Sequence, residues 1–171
     1  IIAKNNKENI VHYSTGDLLR AEVASKSKLG EEINGFISQG NLVPLKIVVG
    51  TIISAINQAP KDVVIIDGYP RSVEQMHALD EFLAIENNIE LISVIKAEVS
   101  EQTAMDRVLG RARGDDDNET VFKNRMKVFT DPIETINSYY EEKKIYKVVD
   151  AERGIEEIVQ DMEKIILDLI K

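Results

Sequence analysis

Seven arginines stand in this chain, and three groups of residues around them have the types and spacing to hold an anion. The first is Ser14-Thr15-Gly16-Asp17-Leu18-Leu19-Arg20, which follows the short run Asn9–Tyr13 and opens a helix near Gly16. Backbone N–H groups at a helix start favour negative charge, and Arg20, about one turn in, can face the same ligand. An ordinary Ser/Thr/Asp helix cap with a surface arginine would read the same way. The second group is Asp67-Gly68-Tyr69-Pro70-Arg71-Ser72-Val73-Glu74-Gln75, directly after the apolar run Asp62–Ile66. A carboxylate at a strand end, as Asp67 is, can hold a hydrated divalent cation. Gly68 lets a ligand approach the backbone, Pro70 fixes the turn, and Arg71 is presented at the next helix start. Gln75 lies four residues beyond Arg71 on the same helix face, with an amide suited to a purine edge. Taken alone, Asp-Gly and Pro are also common turn residues. The third group is Arg107, Arg111 and Arg113, then Asp115-Asp116-Asp117, then Arg125. Arginine suits bidentate contact with oxyanions better than lysine does, although helix-surface charges would give the same pattern. The three aspartates lack EF-hand spacing and read better as partners of the nearby arginines or as a cap for the next helix.

The elements that must position these residues alternate between short strands and longer helices. Asn9–Tyr13 and Asp62–Ile66 read as strands, the second apolar enough for burial on both faces. Lys28–Gln39 and Leu45–Gln58 have helical spacing, with Gly40 ending the first. A helix over Val73–Asn87, a strand at Glu90–Ile95, and helices at Ser100–Leu109 and Glu119–Lys143 follow, with Pro132 expected to bend or divide the last of these. Tyr146–Val149 is a last strand and Ile155–Lys171 a last helix. Ile1-Ile2-Ala3-Lys4 reads as the end of a helix. Crossovers of this length indicate a parallel α/β sheet with helices on both faces.

A chain of 171 residues predicts one domain spanning 1–171, with 43% hydrophobic and 30% charged residues. No cysteine occurs, which excludes disulfides and thiolate metal sites and fits a cytoplasmic protein. A net charge of −9 argues against a general nucleic-acid or anionic-membrane surface, and no apolar run is long enough to span a bilayer. His12 and His77 lack a metal-like partner at helical spacing and read as core or surface residues. Met76, Met105, Met126 and Met162 read as core filler, and Tyr139-Tyr140 as packing in the late helix.

Taken together, STGDLLR and DGYPRSVEQ resemble the two AMP-side motifs of the nucleoside monophosphate kinase family nearly letter for letter. Gly40-Asn41-Leu42-Val43-Pro44 resembles that family's base-contacting loop, and the likeness runs from Ile1 to the last helix. The resemblance is to its adenylate kinases of short-lid form. It implies that Thr15, Arg20, Leu42, Val43, Gly68, Arg71 and Gln75 contact AMP, with Arg20 and Arg71 on the phosphate and Gln75 on adenine. Asp67 would bind Mg²⁺ through water. Arg107 and Arg111 would contact ATP, and Arg71, Arg107, Arg111, Arg113 and Arg125 would surround the transferring phosphoryl group. Phosphoryl transfer spreads charge over equatorial oxygens, so positioning and electrostatics suffice without a protein base. The implied partners are ATP, AMP and ADP acting on a monomer. AMP-binding helices over about 14–58 and a short lid over about 111–117 would close over them and exclude water. The lid is too short for a zinc site, and Arg113 stands one position farther from Asp116-Asp117 than in the usual short-lid pattern.

The glycine-rich loop that cradles ATP phosphates in that family, G-x-x-x-x-G-K-[ST], does not occur between Ile1 and Lys171. The family places the strand before that loop in the middle of the sheet, between the strands matching Asp62–Ile66 and Glu90–Ile95. The expectation is that this segment precedes Ile1 in the gene product, and that phosphoryl transfer is severely impaired without it. A UMP/CMP kinase is the near alternative, with Thr15 and Gln75 favouring adenine. A non-catalytic AMP-binding protein is the alternative from another class.

Overall fold

A computed structural model of the chain describes residues 1–86, 88–111 and 118–171, with Arg111 described by its backbone alone. The strands are β1 (Ile10–Ser14), β2 (Val63–Asp67), β3 (Val94–Glu98) and β4 (Tyr146–Asp150). The helices are α1 (Ile2–Asn5), α2 (Thr15–Ala24), α3 (Lys28–Ile37), α4 (Leu45–Asn57), α5 (Val73–Ile85), α6 (Glu101–Arg111), α7 (Glu119–Glu142) and α8 (Ile155–Leu169). The alternation is the one the sequence predicts, with most ends moved by one or two residues.

β1 runs parallel to β2, from Ile10 opposite Val63 to Ser14 opposite Asp67. β3 runs parallel to β4, from Val94 opposite Tyr146 to Glu98 opposite Asp150. Parallel neighbours need long crossovers, and α2–α4 and α6–α7 supply them. Among the described residues β2 hydrogen-bonds β1 alone and β3 hydrogen-bonds β4 alone. Both pairings are parallel, as the alternation of strands and helices predicts.

Two expectations need correction. The third strand was expected over Glu90–Ile95, where the apolar residues cluster, but it spans Val94–Glu98. Pairing with β4 decides the register, so Lys96 and Glu98 enter the strand and neutralise each other across 2.7 Å on one face. Pro132 also fails to divide the long helix, which continues from Glu119 to Glu142. Buried Val121 and Phe122 before the proline, and Ile136 and Tyr140 after it, anchor both halves against the loss of one ladder bond.

The core has two centres. Leu19, Ile33, Val43, Val48 and Ile52 join α2, α3, α4 and the loop before α4. Met76, Ile136 and Tyr140 join α5 to α7, with Val94 and Tyr146 of the second strand pair packed alongside. Tyr139 stacks edge-on against buried Tyr140, in keeping with packing in the late helix, and against His77, which lies at the surface.

α2 and α3 approach so closely that side-chain size decides the crossing. Ser27 caps α3 by accepting from Gly30 N–H at 2.9 Å, and its own hydroxyl donates to the Glu22 carboxylate. A Cβ on Gly30 would lie 2.4 Å from the Glu22 carbonyl oxygen and 3.0 Å from Val23 Cα. Both obstacles are backbone, so neither can swing aside. Gly30→Ala is expected to cost about 1–3 kcal/mol through overpacking, lowering the melting temperature by on the order of 2–10 °C. An unchanged thermal melt would show that the helices do not meet there.

Candidate active site

The site is built where β1 and β2 end together. Ser14 and Asp67 are opposite one another in the ladder, so both candidate anion-binding segments leave the sheet side by side. Carboxyl ends of parallel strands are where open α/β sheets bind ligands. Ser14 caps α2 by accepting from Asp17 N–H at 3.3 Å. Thr15, buried, donates its hydroxyl to the Asp67 carbonyl at 2.9 Å. That bond fastens the start of α2 to the end of β2.

Each segment then folds an arginine back over a glycine. A Cβ on Gly16 would lie 3.0 Å from the Arg20 guanidinium, which also pairs with Asp17 at 2.5 Å. Arg71 Nε donates to the Gly68 carbonyl at 2.8 Å, and its guanidinium lies over Gly68. Arg20 and Arg71 are therefore presented from adjacent strand ends. Gly68 has φ +77°, and a Cβ there would lie 2.5 Å from an Arg71 nitrogen.

Gln75 is 3% exposed and closes the second segment on itself. Its amide oxygen accepts from Arg71 N–H at 2.7 Å, and its own N–H donates to the Ser72 hydroxyl at 3.2 Å. The Tyr69 hydroxyl donates to the Gln75 carbonyl at 2.8 Å. Asp67 projects its carboxylate into solvent, with His12 Nε2 3.9 Å away. One exposed carboxylate at a ligand-binding strand end fits Mg²⁺, which keeps most of its water and uses few protein oxygens.

The loop after α3 lies against the first turns of α7. A Cβ on Gly40 would sit 3.0 Å from the Val121 carbonyl oxygen and 3.3 Å from Arg125 Cγ. Asn124 Nδ2 donates to the Gln39 carbonyl at 2.7 Å and to Asn41 Oδ1 at 3.0 Å. Arg125 is thereby brought beside the segment that carries Leu42 and Val43. Leu42 is half-buried, whereas the Val43 side chain is core, 5% exposed, so mainly the Val43 backbone is available to a ligand.

Arg107 belongs to the other strand pair. It donates to the Ala151 carbonyl at 2.7 Å and the Arg153 carbonyl at 3.1 Å, just beyond β4. Glu152 binds that loop to α6, accepting from Ser100 N–H and, at 2.8 Å, from the Thr103 hydroxyl. These two bonds hold the Glu152 carboxyl below the usual carboxylate range, the Ser100 N–H first among the causes. The Arg111 side chain, Arg113 and Asp115–Asp117 lie outside the described residues, as does most of the expected lid over 111–117. α7 is capped by Asn118, which accepts from Val121 N–H at 3.0 Å.

The sequence reading missed the Tyr69 tether, the Asn124 bridge and the Glu152 cap. A tyrosine six residues before its acceptor, or an amide 83 residues from its partner, has no periodic signature. Only Glu152, a carboxylate in the loop following a parallel strand, could have been suspected as a cap for a neighbouring helix start.

Gly68→Ala is expected to cost about 1–2 kcal/mol from the left-handed backbone alone, and to displace the Arg71 guanidinium from its place. Loss of thermal stability together with weakened anion binding at this loop would bear that out. A variant with unchanged melting and unchanged binding would contradict the geometry.

Comparison with known proteins agrees with this arrangement. The family model for adenylate kinase matches residues 3–145. An adenylate kinase of Helicobacter hepaticus is 61% identical over 166 residues, 97% of this chain and 87% of that protein. One from Nautilia profundicola is 61% identical over 166 residues, covering 97% and 86% of the two chains. One from Wolinella succinogenes is 63% identical over 163 residues, covering 95% and 86%. With the AMP-side motifs meeting at one sheet end and likeness at this level along almost its whole length, the chain belongs to the adenylate kinase family.

Proposed function

We propose that the enzyme moves a phosphoryl group reversibly from Mg·ATP to AMP, giving two ADP, with the phosphate of AMP held between Arg20 and Arg71. The observation that carries this reading is the in-register end of β1 and β2, from which each segment folds its own arginine back over a glycine. Thr15 fixes the start of α2, so Arg20 approaches the phosphate from a rigid helix. Gly68 leaves room for the nucleotide against the backbone. Leu42, the Val43 backbone and the Gln75 amide receive the adenine. The Gln75 oxygen already takes one N–H, which fixes the amide's orientation and leaves its NH₂ to donate to a ring nitrogen.

In the transfer, an oxygen of the AMP phosphate attacks the γ-phosphorus of ATP. The bond from that phosphorus to the β–γ bridging oxygen breaks, and its electrons leave with ADP. Charge grows on the equatorial and bridging oxygens, where fixed positive groups are worth most. Arg107 and Arg111 serve the ATP side, and Arg71, Arg107, Arg111, Arg113 and Arg125 surround the moving group. The roles of Arg111 and Arg113 rest on their places in the motif. Mg²⁺, when bound with ATP, neutralises phosphate charge, and Asp67 would hold it through water. The AMP-side helices over 14–58 form a part that closes and keeps water from accepting the phosphoryl group. The enzyme acts as a cytoplasmic monomer in this reading; among the described residues no helix is long and apolar enough to cross a membrane.

Arg71→Ala removes charge-assisted bonds to phosphate and should lower kcat/KM for AMP by about 10–100-fold, with KM for ATP changed far less. Initial rates of the full-length enzyme with AMP, UMP and CMP test the choice of substrate. AMP should be used best, and equal rates with the pyrimidine nucleotides would contradict the proposal.

A further inference from the structure

Tyr69 touches both walls of the proposed base pocket. Its ring packs against the core of Leu19, Ile33, Val43, Val48 and Ile52, which carries the Val43 loop. Its hydroxyl donates to the Gln75 carbonyl at 2.8 Å, on the first turn of α5. In a helix that carbonyl takes its ladder bond from the residue four places on, so α5 does not need Tyr69 in order to form. The tether's consequence is spatial, because it sets how far Gln75 stands from Val43. Burial raises the Tyr69 pKa to about 12, so the hydroxyl stays a donor across the physiological range.

The rest of the segment locks onto this bond. Arg71 N–H donates to the Gln75 amide oxygen at 2.7 Å, and Gln75 N–H donates to Ser72 at 3.2 Å. Gln75 therefore has its backbone held at both ends and its amide held at the oxygen. Releasing the Tyr69 bond leaves the carbonyl its ladder bond and the aromatic ring in the core, and removes only the tie between Gln75 and that core. We infer that Tyr69 is a positioning residue for base selection, fixing Gln75 against the Val43 loop so that the pocket accepts adenine and discriminates against smaller bases. This inference rests on the reading of Gln75 as the base contact.

The test compares Tyr69→Phe with Gln75→Leu in the full-length enzyme, using steady-state kinetics with AMP and UMP and a thermal melt of each. Loss of one neutral hydrogen bond is expected to raise KM for AMP roughly fivefold in Tyr69→Phe, with a similar fall in the AMP-to-UMP ratio of kcat/KM. KM for ATP and kcat at saturating AMP should stay within about twofold, a split that general loosening would not produce. Gln75→Leu should raise KM for AMP and lower the AMP-to-UMP ratio of kcat/KM more strongly. If Gln75→Leu impairs AMP use while Tyr69→Phe leaves KM and selectivity unchanged, the inference is overturned and the base-contact reading stands. If Gln75→Leu itself leaves AMP use unchanged, the base-contact reading fails and takes the inference with it. A Tyr69→Phe enzyme in which KM for AMP and ATP rise together as the melting temperature falls also overturns it, because the tyrosine would then be structural only.

Discussion

Parallel pairing of β1 with β2 stops at Ser14 opposite Asp67, and nearly everything at the AMP side depends on that shared end point. A slip of one residue in either strand would move its loop by about 3.3 Å and turn its side chains to the opposite face. The Thr15 hydroxyl on the Asp67 carbonyl guards against such a slip, since it is made only in this register. From that point both loops perform the same operation, bending an arginine back over a glycine. Two cations are thus presented from neighbouring strand ends in a chain of net charge −9. Each has its own local partner, Asp17 beside Arg20 and the Gly68 carbonyl at Arg71.

Much of this was legible in the residues themselves. STGDLLR and DGYPRSVEQ announce a strand end, a turn and a helix start through Gly, Pro and Ser at positions where backbone geometry restricts the choice. The helix limits followed from 3.6-residue spacing, and the structure adds serine caps at Ser14, Ser27 and Ser72, each of which accepts an N–H. What escaped was long-range. β3 could not be set by its own composition, because Ile92 and Leu91 look more strand-like than Lys96 and Glu98; only β4 decides between them. Val43 matches the base-contact motif by letter, yet its side chain is spent on the core. The capping residue of α7 is Asn118 rather than one of the preceding aspartates, a choice made by the end of the helix rather than by charge.

The contacts between α7 and the Gly40 turn link two halves of the proposed reaction. Asn124 grips the turn that carries Leu42 and Val43, and the next residue is Arg125, proposed to face the moving phosphoryl group. Base recognition and charge stabilisation then share one short stretch of α7. On the other strand pair, Arg107 and Glu152 both tie the loop after β4 to α6, one through the loop's carbonyls and one through the helix start. Both devices use bonds to backbone, which restrict geometry more tightly than exposed ion pairs do.

The claim on which this account turns is that Arg20 and Arg71 meet on a single phosphate. Calorimetric titration with AMP and, separately, with adenosine isolates that phosphate from the base and ribose. The account predicts that adenosine binds about 100-fold or more weakly than AMP, as expected from losing two charge-assisted contacts. Equal affinities for the two ligands would contradict it.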